Sequence, residues 1–126
     1  MRMILLIALG GALGAVARYG TGTLLMPAMQ RSGFPWATLA VNLAGCFAIG
    51  YLNGPLSERW LVHPEYRMAV LVGLLGGYTT FSTFGWETMA MLRDAQWARA
   101  AGNILANNVL GIALVLAGYA ASRGRW

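Results

Sequence analysis

Residues 76–84 read GGYTTFSTF, flanked by the apolar runs AVLVGLL (69–75) and WETMAML (86–92). The flanks ask for one continuous helix, and the centre resists it. Adjacent glycines cost roughly 1 kcal/mol each relative to Ala in a helix interior. The hydroxyl residues Thr79, Thr80, Ser82 and Thr83 compete for backbone hydrogen bonds. A helix broken near its middle is the expectation, and the surroundings decide what such a break means.

The surroundings are those of a membrane protein. Of 126 residues 58% are apolar and only 10% charged, with a mean hydropathy of +0.58. Charged and Pro-containing stretches divide the chain into four apolar segments at about 3–26, 36–54, 68–91 and 98–121. Each is close to the ~20 residues that cross a bilayer as helix. The connections PAMQRSGFPW, PLSERWLVHPEYR and RDAQW are short, so residues 1–126 form one four-span domain without a soluble module. Trp36, Trp60, Trp97 and Trp126 fall at span ends, where an indole faces both headgroup and hydrocarbon.

The start MRMILLIALGGALGAVA also has the form of a cleavable signal peptide, but its apolar pattern continues past Arg18 to Met26, which favours a retained span. Cys46 is the only cysteine, so neither an intrachain disulfide nor a thiolate metal cluster can form, and it reads as a small packing residue. The net charge of +5 comes from nine scattered arginines, which suits headgroups better than nucleic acid. With both termini on one side, Arg2, Arg59, Arg67, Arg123 and Arg125 face Arg31, Arg93 and Arg99, joined by Arg18 if it snorkels that way. That bias is weak under the positive-inside rule, so insertion in both orientations is open.

Polar groups at membrane depth are costly and mark partners or water-filled paths. They are Arg18, Asn42, the TTFST group, Glu87, Asn103, Asn107 and Asn108. Gly10, Gly14 and Arg18 share an i, i+4 line, a close-packing face that ends in a guanidinium. Asn42 stands beside the gap at Gly45. Asn103, Asn107 and Gly111 repeat at i, i+4, i+8, with Asn108 at the edge of the stripe. Carboxamides offer N–H donors that can replace part of an anion's water shell without a fixed charge. The same groups also serve as interhelical glue, and both readings stand.

The break is expected at Gly76 and Gly77, whose φ freedom interrupts the helix while the hydroxyls rebond some of the freed backbone. It exposes carbonyl oxygens, which are ligands for a small hard cation. Phe81 and Phe84 lie i, i+3 where helix resumes, and their electropositive ring edges could attract a compact anion.

The stretches GLLGGYTTFSTF (73–84), TLAVNLAGCFAIG (38–50) and GGALGAVARY (10–19) resemble the Fluc (CrcB) family of bacterial fluoride channels. The resemblance runs through the first three spans and fits the length and layout. It implies an all-α membrane protein assembled as an antiparallel, dual-topology homodimer in the plasma or inner membrane. Two fluoride pores would flank a structural sodium ion held by the backbone oxygens of Gly76 and Thr79 from each chain. It further implies Phe81 and Phe84 as the paired pore rings, Asn42 as the pore carboxamide, and Ser82 and Thr83 as nearby donors. Glu87 and Arg18 would lie near the pore mouths or on the packing face. In the fourth span Asn103, Asn107 and Asn108 depart from the hydroxyl track more usual in that family.

Other classes fit less well. A small multidrug exporter shares the length, four spans and dual topology, but needs a carboxylate deep in its first span, and residues 3–26 hold no Asp or Glu. A noncatalytic packing subunit of a larger membrane complex would carry no ion by itself. An enzyme is disfavoured because His63 and Glu65 share one loop with no second His, nucleophile or metal-ligand spacing.

Overall fold

Apolar runs with no water-facing side fold as helices, because a helix satisfies its own backbone groups in hydrocarbon. The computed structural model describes residues 1–58 and 63–123, so Arg59, Trp60, Arg125 and Trp126 lie outside the described residues. It consists of α1 (Arg2–Ser32), α2 (Trp36–Glu58), α3 (64–78), α4 (Phe81–Arg93) and α5 (Trp97–Arg123). Four segments, Arg2–Ser32, Trp36–Asn53, Pro64–Arg93 and Trp97–Arg123, are long and apolar enough to cross a membrane. The third comprises α3 and α4.

The first span is longer than expected. Its helix continues through Pro27 and the PAMQRS stretch, shrinking the connection to residues 33–35. The stop signal is Gly33, whose φ of 65° puts it in the left-handed region and whose N–H bonds the Met29 carbonyl at 2.8 Å. At about 1.5 Å per residue α1 is roughly 46 Å long, more than the ~30 Å of hydrocarbon, so it tilts or carries Arg31 beyond it. The third span also starts early, at Pro64, in the first-turn position where a missing N–H costs nothing.

The break in the third span is present but displaced from where the glycines placed it. Gly76 and Gly77 are helical, within Leu75–Tyr78. The interruption falls at Thr79 (φ −85°, ψ 162°) and Thr80 (φ −154°, ψ 116°), both extended. Glycine does different work here, namely close approach. A Cβ on Gly77 would sit 2.5 Å from the Gly11 carbonyl oxygen, and Cβ atoms on Gly10 and Gly14 would strike the carbonyls of Ala69 and Leu74. The seam expected of Gly10, Gly14 and Arg18 therefore joins α1 to α3, backbone against backbone.

A second glycine seam, unforeseen from the sequence, joins α2 to α5. Cβ atoms on Gly50 and Gly118 would strike the carbonyls of Val115 and Phe47. Elsewhere α4 folds back on the start of α5 through a turn in which Ala95 has φ 56° and Gln96 N–H bonds the Met91 carbonyl. The buried centre is small, with Val41, Ala100 and Asn103 at its bottom. Large apolar side chains such as Leu13, Leu24, Trp86, Val109 and Leu116 instead face outward, as expected of a surface covered by lipid or by another chain.

Candidate functional site at the broken third span

A continuous helix would send the Thr80 N–H to the Gly76 carbonyl and the Thr83 N–H to the Thr79 carbonyl. Neither happens. The Thr80 N–H bonds Asn42 Oδ1 at 2.9 Å, and the Thr83 N–H bonds Thr80 Oγ1 at 3.3 Å, an N-cap that restarts the helix. The break thus strips the Gly76 and Thr79 carbonyls of their i+4 donors. Thr79 O receives Arg18 Nη1 at 3.1 Å, so the guanidinium at the end of the α1 seam lies against one of them.

Asn42 is the brace of the broken backbone. It takes the Thr80 N–H on Oδ1 and returns Nδ2–H to the Thr80 carbonyl at 3.1 Å, a two-point pairing that fixes its amide plane. Its other amide hydrogen reaches Asn107 Oδ1 at 2.9 Å. Asn107 Nδ2 in turn donates to Asn103 Oδ1 (2.9 Å) and O (3.0 Å). Asn103, fully buried, donates to Thr88 Oγ1 at 2.9 Å, and Thr88 Oγ1 donates to the Phe84 carbonyl at 2.8 Å. Asn107 and Asn103 of the fourth span therefore form a continuous ladder from Asn42 at the break to Thr88 of α4. Asn108 is outside the ladder, bonding the Ile104 carbonyl of its own helix, but it lines the same cavity as Asn42 and Asn107.

Phe81 and Phe84 share a face, with ring centroids 5.4 Å apart and planes tilted by 52°. Phe84 is buried at 7% exposure, whereas Phe81 is 79% exposed on the single chain. A cavity of about 300 Å³ brings both rings together with Asn42, Thr79, Thr80 and Asn107, and also with Cys46, which sequence reasoning left as packing. Ser82 and Thr83 lie at the start of α4, exposed on the single chain. A separate cavity of about 130 Å³ on the other side of the break holds Arg18, Thr38, Thr80 and Thr83.

Glu87 does not join the phenylalanine cavity. It lines another space of about 320 Å³ near Met29, Pro35 and Asp94. Its Oε1 accepts from Thr38 Oγ1 at 2.8 Å, and Oε2 is buried without a hydrogen-bond partner among the described residues. Thr38 and Thr88 were missed by the sequence reading. Thr38 was legible one turn before Asn42, on the same α2 face. Thr88 was not, because a threonine that bonds its own helix reads as filler until its partner across the interface is known.

No group of three or more His, Cys, Asp or Glu side chains that could hold a metal occurs among the described residues. A cation at the break would have neutral oxygens as ligands. The Gly76 and Thr79 carbonyls are two such oxygens, and a Cβ on Gly76 would meet nothing within 4 Å. That side of α3 is open on the single chain.

Four apolar spans, a third span interrupted at depth and a carboxamide bracing the interruption define a membrane protein whose special chemistry is confined to one stretch of irregular backbone. Residues 5–119 match the family model described as CrcB-like protein, Camphor Resistance (CrcB). The chain is 46% identical to "Fluoride-specific ion channel FluC" of Solibacter usitatus over 94% of this chain and 97% of the relative. Proteins of the same name from Opitutus terrae (43%, over 98% and 95%) and Chloroflexus aurantiacus (42%, over 100% and 98%) are similarly close. The chain belongs to the CrcB family, whose relatives bear the name of an ion channel and not of an enzyme.

Proposed function

We propose that this chain is a fluoride channel that lets the ion leave the cell passively down its electrochemical gradient. The observation that carries the reading is the cavity beside the break, where two tilted phenyl rings meet the Asn42 amide. Ring edges and amide N–H groups are weak positive poles, suited to an anion small enough to hold its charge in a compact radius. No Asp or Glu lines this cavity among the described residues. The names of the relatives support the choice of ion.

The working unit is an antiparallel homodimer in the plasma membrane, inserted in both orientations. The half-empty surroundings of the break support this. Phe81 is exposed, Gly76 is open, and the polar start of α4 would face hydrocarbon on a lone chain. A two-fold axis in the membrane plane would bring two breaks together. The carbonyls of Gly76 and Thr79 from both chains would then hold one structural sodium ion, which gives a partner to the Gly76 oxygen that the break deprives of its i+4 donor; Thr79 O already accepts from Arg18. On the single chain the Arg18 guanidinium occupies Thr79 O, so a sodium ion at that oxygen would have to displace it.

An exporter exchanging protons for cations is disfavoured because α1 contains no Asp or Glu. The test is fluoride efflux from liposomes holding the purified protein. Rapid release of fluoride, with chloride retained, is expected; no release above empty liposomes would overturn the reading and favour a packing subunit.

A further inference from the structure

We propose that Asn107 is a gate residue, whose side-chain oxygen occupies the position at Asn42 that a permeating anion must take. The inference rests on the channel reading above and adds the group with which the ion competes. Both amide hydrogens of Asn42 are already engaged, one on the Thr80 carbonyl and one on Asn107 Oδ1. The first belongs to the two-point pairing that holds the broken backbone. Only the second can be exchanged without undoing the break.

The ladder fixes which end of Asn107 faces Asn42. Its amide nitrogen donates to both oxygens of Asn103. A flipped Asn107 would set NH2 against NH2 at Asn42 and oxygen against two oxygens at Asn103, so the oxygen points to Asn42. Asn103 has no freedom to compensate, being fully buried and tied to Thr88. An anion in the cavity beside Phe81 and Phe84 therefore meets a carbonyl-type lone pair at the place where it needs a donor. It binds by displacing that oxygen.

The local backbone suits a side chain that must move. Asn107 lies in the wide-turn segment Ala106–Leu110, whose i+5 hydrogen bonding interrupts the regular ladder. Such single turns are frequent at functional sites. Asn107 is half-buried, whereas Asn103, one turn earlier, is sealed. Asn103 is thus the positioning residue and Asn107 the moving one.

The experiment measures fluoride binding to the purified full-length protein at constant ionic strength, with efflux from liposomes in parallel. In Asn107→Ala the Asn42 hydrogen is released from its competitor. Apparent fluoride affinity should rise about five-fold, the factor for one net amide hydrogen bond. Half-saturation of efflux should fall by the same factor. Asn107→Ser, whose hydroxyl can still bond Asn103 but is too short for Asn42, should behave alike and serves if the alanine variant does not assemble. In the wild type, fluoride should shift the side-chain amide resonances of Asn42 and Asn107 together. Unchanged or weakened affinity in an assembled variant, or an Asn107 resonance indifferent to fluoride, overturns the gate. A wild type that moves no fluoride overturns the channel reading instead, so the two failures are distinguishable.

Discussion

Phe81 and Phe84 carry the same ring into different surroundings, one exposed and one buried, while remaining 5.4 Å apart. Replacing either by Ile keeps much of the apolar volume and removes the electropositive edge. Fluoride flux should fall roughly two- to tenfold in Phe81→Ile and in Phe84→Ile, the range for one aromatic edge interaction. Liposome efflux from assembled protein checks this, and wild-type rates in both variants would return the rings to a packing role. Asn42→Asp is harsher. It loses the donors to Thr80 O and Asn107 Oδ1 and places a fixed negative charge beside the path. At an effective dielectric constant near 20 that charge repels an anion at contact distance by a few kcal/mol, so efflux should drop about a hundredfold or more.

At the scale of the element, the third span shows why neighbouring glycines should not be treated alike. A Cβ at Gly77 meets the Gly11 backbone, which cannot give way, and Gly77→Ala should cost about 1–3 kcal/mol of stability by forcing α1 and α3 apart. A Cβ at Gly76 meets nothing on the single chain, and alanine is the better helix former by about 1 kcal/mol. Gly76→Ala should therefore leave the fold of the protomer intact and lose the dimer, because the proposed interface passes there. Thermal melts in detergent together with molecular mass by light scattering separate the two effects. A Gly76→Ala dimer as stable as the wild type would move the interface elsewhere. The break itself was legible, since paired glycines and four hydroxyl residues weaken a continuous helix through GGYTTFSTF. Its position was not. Thr80 can stay extended only because Asn42 receives its N–H, and that partner lies 38 residues away in sequence.

At the scale of the whole molecule, the single chain exposes an aromatic and hydroxyl strip, Phe81, Ser82 and Thr83, within an apolar span. In planar bilayers, currents should reverse at the fluoride equilibrium potential irrespective of a proton gradient. Reversal displaced by protons would point to coupled exchange. Replacing sodium by a large organic cation should loosen the assembly and lower efflux. Full activity and an unchanged molecular mass after exhaustive sodium removal would dispose of the proposed structural ion.

The solvent, the number of spans, the existence of a break in the third of them and the polar residues within them could be read from the order of amino acids alone. Each of these follows from composition or local backbone preference, which act within a few residues. The tertiary structure decided what those residues do. It showed that Gly77 is there for close approach, since the clashing atom belongs to another helix. It also turned three separate asparagines on two spans into one directed ladder, and placed Glu87 apart from the phenylalanines only one helical turn away. A carboxamide has donors and an acceptor that serve glue and ion path equally well, and only the partners brought to it by folding decide which end points where.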